Sequence, residues 1–337
     1  MGTPRIVPLG WLTVILVAGL VSLPAEEAAT GAKASDGIES HVDWTEGRFY
    51  LTLTAPLVAQ TDVAQMAGPK RRYLTEQLLA SRLEAAFVRE AAKLPVDSSR
   101  TLGDLAQEDP AIVGQLSGLV PRLKFHYSRV DEAYTSLEMR WSASLWTDFE
   151  PLLEASETPN DLSRLVSWNP SRDFSGLVIF AMGNLPWWGT NKLFAEWKPS
   201  LSFRLLSPDG EVLFDRSMAH SAALEEWGQA GLSEGKFNEE AWRERIGLDP
   251  FRIVARGVFG TNPCDLILAQ EDWNRLLARP ANRELLAAGK VLVLWGPFPD
   301  YTRHPNPDSV INEAEPSFQI IPQPPIEKAA EPAKSGE

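Results

Sequence analysis

The sequence predicts an α+β protein built as two small α+β domains, followed by a disordered tail. Three observations carry this expectation. Short segments alternate apolar and polar residues with period two, and a long segment from Gly68 repeats apolar residues at three- and four-residue steps. From Pro297 to the end the chain turns proline-rich and acidic, a composition that buries too little apolar surface to fold alone.

Arg48–Thr54 alternates Phe49, Leu51 and Leu53 with Tyr50, Thr52 and Thr54 and predicts a strand. An amphipathic helix is expected over 68–93, on the stripe Tyr73, Leu74, Leu78, Leu79, Leu83, Ala86, Phe87 and Ala91, with Pro69 in its first turn and Pro95 beyond its end. Short helices should follow Thr101 and break at Asp109-Pro110. The segments 122–130 and 134–145 predict a hairpin turning at Val130-Asp-Glu-Ala, with Leu137, Met139, Trp141, Ala143 and Leu145 on its buried face. These elements give strand, helices and hairpin over 41–150. A connector over 151–174 leads to a second domain over 175–296, expected to hold a mixed sheet with helices. Its elements are a buried strand at Ser175–Met182 and a hairpin across Ser207-Pro-Asp-Gly210. Helices are expected near 220–228 and 238–246, and strands at 251–258 and 265–268. A helix over 271–288 should break at Pro280 before a last strand over 290–295.

At the amino terminus a charged start at Arg5, an apolar run over 6–23 and Pro24-Ala25 before Glu26-Glu27 have the layout of a signal peptide over 1–25, cleaved after Ala25. The alternative is an uncleaved anchor helix, which Pro8, Gly10 and Gly19 argue against. The small polar residues over 26–40 read as a flexible lead-in.

A net charge of −13 argues against a nucleic-acid partner, since few cations are available to displace phosphate counterions. The single cysteine, Cys264, excludes an intrachain disulfide framework and multi-cysteine metal sites, and reads as a buried apolar residue. No phosphate loop, dinucleotide glycine pattern or paired-histidine metal helix is present, so no catalytic residue, cofactor or metal is expected. Asp97-Ser98-Ser99 reads as a cap for the helix near Leu102 rather than a nucleophile with its acid. Glu225-Glu226, Glu239-Glu240 and Glu150/Glu154 read as solvated helix faces rather than paired glycosidase carboxylates, and Lys70-Arg71-Arg72 as a solvated helix start.

The tryptophan content, 12 residues, is the most distinctive ingredient. Trp187, Trp188, Phe194 and Trp197 are concentrated in what reads as a loop between two strands, the candidate interaction loop. Such aromatics plug a domain's own core, anchor a subunit or partner interface, or stack on a glycan.

The helix over 72–93, the segment Leu94-Pro-Val-Asp-Ser-Ser-Arg-Thr-Leu-Gly-Asp104 and the strand pair around Asp131-Glu resemble the bacterial envelope family of the twenty-kilodalton membrane-associated lipoprotein and flagellar assembly lipoprotein P. Gly176-Leu-Val-Ile-Phe-Ala-Met-Gly-Asn184, the stretch from Pro199 to Phe214 and Val291-Leu-Val-Leu294 are similar to the part that follows this domain in longer relatives. Phe180 and Met182 stand where the family has an acid and an arginine, and the lipid-attachment cysteine is absent. The resemblance implies an exported, non-enzymatic envelope component, periplasmic or associated with the outer membrane or the flagellar motor. Its partners would be proteins or further copies of itself. Membrane contact would come only through an uncleaved signal. The alternative is a peptidoglycan-binding protein or a carboxylate-based glycan hydrolase.

Overall fold

The computed structural model describes residues 37–58, 68–153, 160–162, 170–189, 194–235 and 237–298. The expected signal peptide, most of the lead-in and the tail from residue 299 lie outside the described residues.

The first domain runs β1 (Gly37–Asp43), β2 (Arg48–Pro56), α1 (Gly68–Ala91), α2 (Leu102–Glu108), α3 (Ala111–Leu119), β3 (Lys124–Val130) and β4 (Ser136–Ser144). Its four strands form an antiparallel sheet in the order β1-β2-β4-β3. The alternation read from the sequence puts Phe49, Leu51 and Leu53 of β2 and Leu137, Met139 and Trp141 of β4 on one buried face. Helix α1 covers that face through Leu79, Ala86 and Phe87, and Phe49, Phe87 and Phe149 meet with ring centroids 5.7–5.9 Å apart. Tyr73, placed on the helix stripe by its spacing, is 57% exposed. Thr75 is buried in its stead, and its hydroxyl donates to Arg71 O and accepts from Val58 N.

Two expectations in this domain need correction. Residues 37–40, expected in the flexible lead-in, belong to β1, paired along its length with β2 and tied to α1 where Ser40 Oγ donates to Glu90. Backbone pairing orders a segment that is poor in apolar residues. The cap of α2 is Thr101, whose hydroxyl accepts from Asp104 N while the Asp104 carboxylate accepts from Thr101 N. Asp97 instead closes the preceding turn, accepting from Ser99 N, Arg100 N and the Arg100 guanidinium.

The second domain runs β5 (Leu177–Met182), β6 (Asn184–Trp188), β7 (Phe194–Glu196), β8 (Leu205–Leu206), β9 (Val212–Phe214), α4 (Ser221–Trp227), β10 (Gly231–Glu234), α5 (Glu239–Ile246), β11 (Phe251–Val254), β12 (Gly257–Phe259), β13 (Asp265–Ile267), α6 (Gln270–Leu277), α7 (Pro280–Ala287) and β14 (Val291–Gly296). It contains two sheets where the sequence suggested one. The first, β10-β14-β5-β11, is parallel throughout. Its central strands are apolar at successive positions because both faces are covered: Leu177, Ile179 and Val293 face one core, and Val178, Leu292 and Leu294 face a second with Ile246. The second sheet, β7-β6-β12-β13-β8-β9, mixes parallel and antiparallel pairs. The chain passes from one sheet to the other at Gly183, between β5 and β6. There a positive φ of 68° and the Phe298 ring leave no room for a side chain.

The domains are joined by shared packing and main-chain bonds. Trp44 and Trp146 pack against both large cores, and Leu201 of the second domain is buried in the core of the first. The Trp146 indole lies against Gly47 on one side and Gly228 on the other, closer than any Cβ would permit. Leu201 N and Ser202 N donate to Pro95 O and Val96 O, and Asn262 N donates to Ser98 O. Trp44, Trp146, Trp227 and Trp242 line a cavity of about 190 Å³ at this junction. Beside it the buried Arg245 donates to Trp227 O, Gly228 O and Gly289 O, carbonyls at the C-terminal ends of α4 and α7. Helix C-termini are the favourable place for a cation, although burial still pulls the Arg245 pKa down to about 9.

Candidate interaction face and interdomain cleft

The aromatic segment is two strands of the mixed sheet rather than a loop, as far as it is described; residues 190–193 lie outside the described residues. Strands β6 and β7 are antiparallel, with Pro186 opposite Phe194 and Leu185 opposite Ala195. The two-residue side-chain period therefore divides the four candidates between two faces. Trp187 points inward with Leu185 and Ala195, and its indole N–H donates to Gly260 O. Trp197, 1% exposed, plugs the domain's own core, the first of the three roles open to these aromatics: its indole N–H donates to Cys264 O and its ring meets Phe203 edge-on. Trp188 and Phe194 point outward at 39% and 59% exposure.

A third aromatic joins the outward pair. Strand β12 runs parallel to β6 with Phe259 beside Trp188, so Phe194, Trp188 and the half-buried Phe259 form a strip across three strands. The Trp188 indole lies over Gly257, where a Cβ would come within 2.9 Å of Nε1 and 2.8 Å of Pro186 O. Among the described residues strand β7 is the edge of its sheet. Phe259 was invisible to sequence reading because its place is set by a pairing with a strand far away in the chain.

The second feature is a cleft of about 820 Å³ between the domains, lined by α2, α3, the turn at Glu150–Leu152 and α4. Glu150 is only 1% exposed and corrects the expectation of a solvated helix face; Glu154 lies outside the described residues. Arg216, from a short 3-10 helix of the second domain, donates from Nε to Glu150 Oε1 at 2.6 Å and from Nη2 to Leu153 O at 3.2 Å. Among the described residues Glu150 Oε2, itself buried, has no hydrogen-bond partner. Burial pushes the Glu150 pKa up from 4.5 to about 7, against the pull of Arg216.

The remaining candidates have local structural roles. Ser98 accepts from Arg204, which also binds the fully buried Asp265 through two nitrogens. Cys264 is buried, its thiol pushed up to about 12 by the loss of solvent. Glu225, Glu226, Glu239 and Glu240 are exposed on their helices as read. Among the described residues no cluster of three metal-ligating side chains occurs, and no helix is long and apolar enough to cross a membrane.

The fold and these two features define a two-domain α+β protein with an exposed aromatic sheet edge and an acid-lined interdomain cleft. Residues 36–152 match the family described as Treponema pallidum Tp0624, N-terminal domain, and residues 176–297 match the family described as Treponema pallidum Tp0624, second domain. Each domain is thus similar to one domain of that protein, in the same order along the chain. No curated protein matches the sequence.

Proposed function

We propose that the chain is an exported, non-enzymatic envelope protein that serves as a structural or assembly component, in the periplasm or at the outer membrane, with the flagellar motor as one place of assembly. The observation that carries the reading is the strip of Phe194, Trp188 and Phe259 beside the sheet edge at β7. Outward-facing aromatics beside a sheet edge suit strand addition or a buried anchor in a protein interface. The signal-like start and the resemblance to the envelope lipoprotein family support the location. Light scattering on purified residues 26–337, with cell fractionation and swimming assays of a deletion strain, tests it. Self-association or a captured envelope partner, lost in Trp188→Ala, is the expected result. A strict monomer in a strain with normal fractionation, envelope and motility overturns it.

A second reading is glycan contact, favoured by the outward Trp188 and Phe194 rings, whose flat apolar faces suit sugar stacking. Pull-down on peptidoglycan and fluorescence titration with its fragments discriminate: a response lost in Trp188→Ala supports it, and none removes it.

A further inference from the structure

The interdomain cleft has a chemical character that the aromatic edge does not share. Five carboxylates and two guanidiniums line it. Arg100 holds Asp97 at 2.8 Å and reaches Glu108 at 3.5 Å, and Arg216 holds Glu150. Among the described residues no cation pairs with Asp109 or Glu225, which sit on the rim from α3's start and from α4. Carboxylates therefore outnumber guanidiniums among the described residues of the lining. Beneath this rim lies the unpartnered Oε2 of Glu150, whose side chain is only 2% exposed. A buried carboxylate oxygen without a donor is costly, and the cost is recovered when a donor arrives. Leu105, Ile112 and Leu224 line the same cleft, so its occupant meets apolar surface as well as charge.

We propose that this cleft receives a cationic, partly apolar peptide segment of a partner protein, one lysine or arginine of which donates to Glu150 Oε2 once the carboxyl turns toward the cleft. Charge selects the sign of the ligand, and the apolar lining selects a peptide over a bare polycation. Both domains supply walls, so the segment binds only to the joined pair. A partner would then hold the domains together while the aromatic edge stays free for a second contact. The inference rests on the assembly reading only in taking the partner to be a protein, and its test does not depend on where the protein resides.

Fluorescence anisotropy of the full chain with a short labelled peptide alternating lysine and leucine tests it. The counterpart peptide with glutamate for lysine and free spermidine serve as the other arms. Saturable binding of the lysine peptide that weakens with added salt is expected, with none for the glutamate peptide. Glu150→Gln should weaken it about tenfold, as should the surface double variant Asp109→Asn with Glu225→Gln, whose exposed positions leave the core untouched. Trp188→Ala should leave it unchanged, which separates this site from the aromatic edge. No binding of the lysine peptide, or equal binding by the double variant, overturns the proposal. Competition by spermidine at the affinity of the peptide overturns the peptide assignment. Loss of this binding with self-association intact would reject the cleft and leave the assembly reading standing.

Discussion

At Glu150, loss of solvent outweighs the adjacent Arg216 guanidinium, so the carboxyl titrates near pH 7 instead of 4.5. The folded protein therefore holds a proton between those values that the unfolded chain releases. Stability falls as pH rises through that window and levels off above it, by at most about 3 kcal/mol. Urea denaturation at about pH 5 and about pH 8 checks the sign. Wild-type protein should lose stability on going to the higher pH, and Glu150→Gln should lose that part of the difference. The cleft that Glu150 borders gives the effect a route to function, because a cation bound beside the carboxyl favours its ionised form. Nothing in the sequence around Phe149-Glu-Pro distinguishes this glutamate from a surface one. Its burial comes from Arg216 and the second domain closing over it.

Along β6 and β7, one residue of register decides whether a tryptophan is core or surface. Trp187 and Trp188 are adjacent in sequence and face opposite ways, and Trp197 lies inside while Phe194 lies outside. Trp197→Ala should cost about 3–5 kcal/mol, since it empties a fully enclosed site and leaves Cys264 O without its donor. Trp188→Ala should stay within about 1 kcal/mol and act on association instead. Urea midpoints of the two variants measured side by side decide between this division and a uniformly buried cluster. The alternation was present in the sequence, but the elements are five and three residues long, with Gly183 and Gly189 flanking β6 and Pro186 inside it. Segments this short show too few periods to outweigh turn-forming residues, and so they read as a loop.

For the whole molecule, the two domains are one mechanical unit because side chains are shared across the junction. Trp146 packs in both cores, and residues 95–98 of the first domain accept backbone bonds from the second. Calorimetry of the intact chain should therefore show a single cooperative transition. Trp146→Ala removes the ring held between Gly47 and Gly228, and should lower stability by about 3–5 kcal/mol and split the transition in two. A single unsplit transition in the variant would show that Leu201 and the backbone bonds suffice for the coupling.

The amino-acid sequence by itself determined the α+β class, most of the helices and the long alternating strands. In those elements the pattern of burial is local, repeating every two or 3.6 residues, and a segment such as Arg48–Pro56 or Ser136–Ser144 carries enough repeats to declare itself. The capping of α2 was legible in kind, though Thr101 rather than Asp97 performs it. Only the tertiary structure decided the strand β1, the division of the second domain into a parallel and a mixed sheet, the outward strip completed by Phe259, and the burial of Glu150. Each depends on partners outside its own segment: β2 and Glu90 for Ser40, β12 for Trp188, the second domain for Glu150. Such pairings are set by the packing of whole elements around shared cores, and local periodicity carries no record of them.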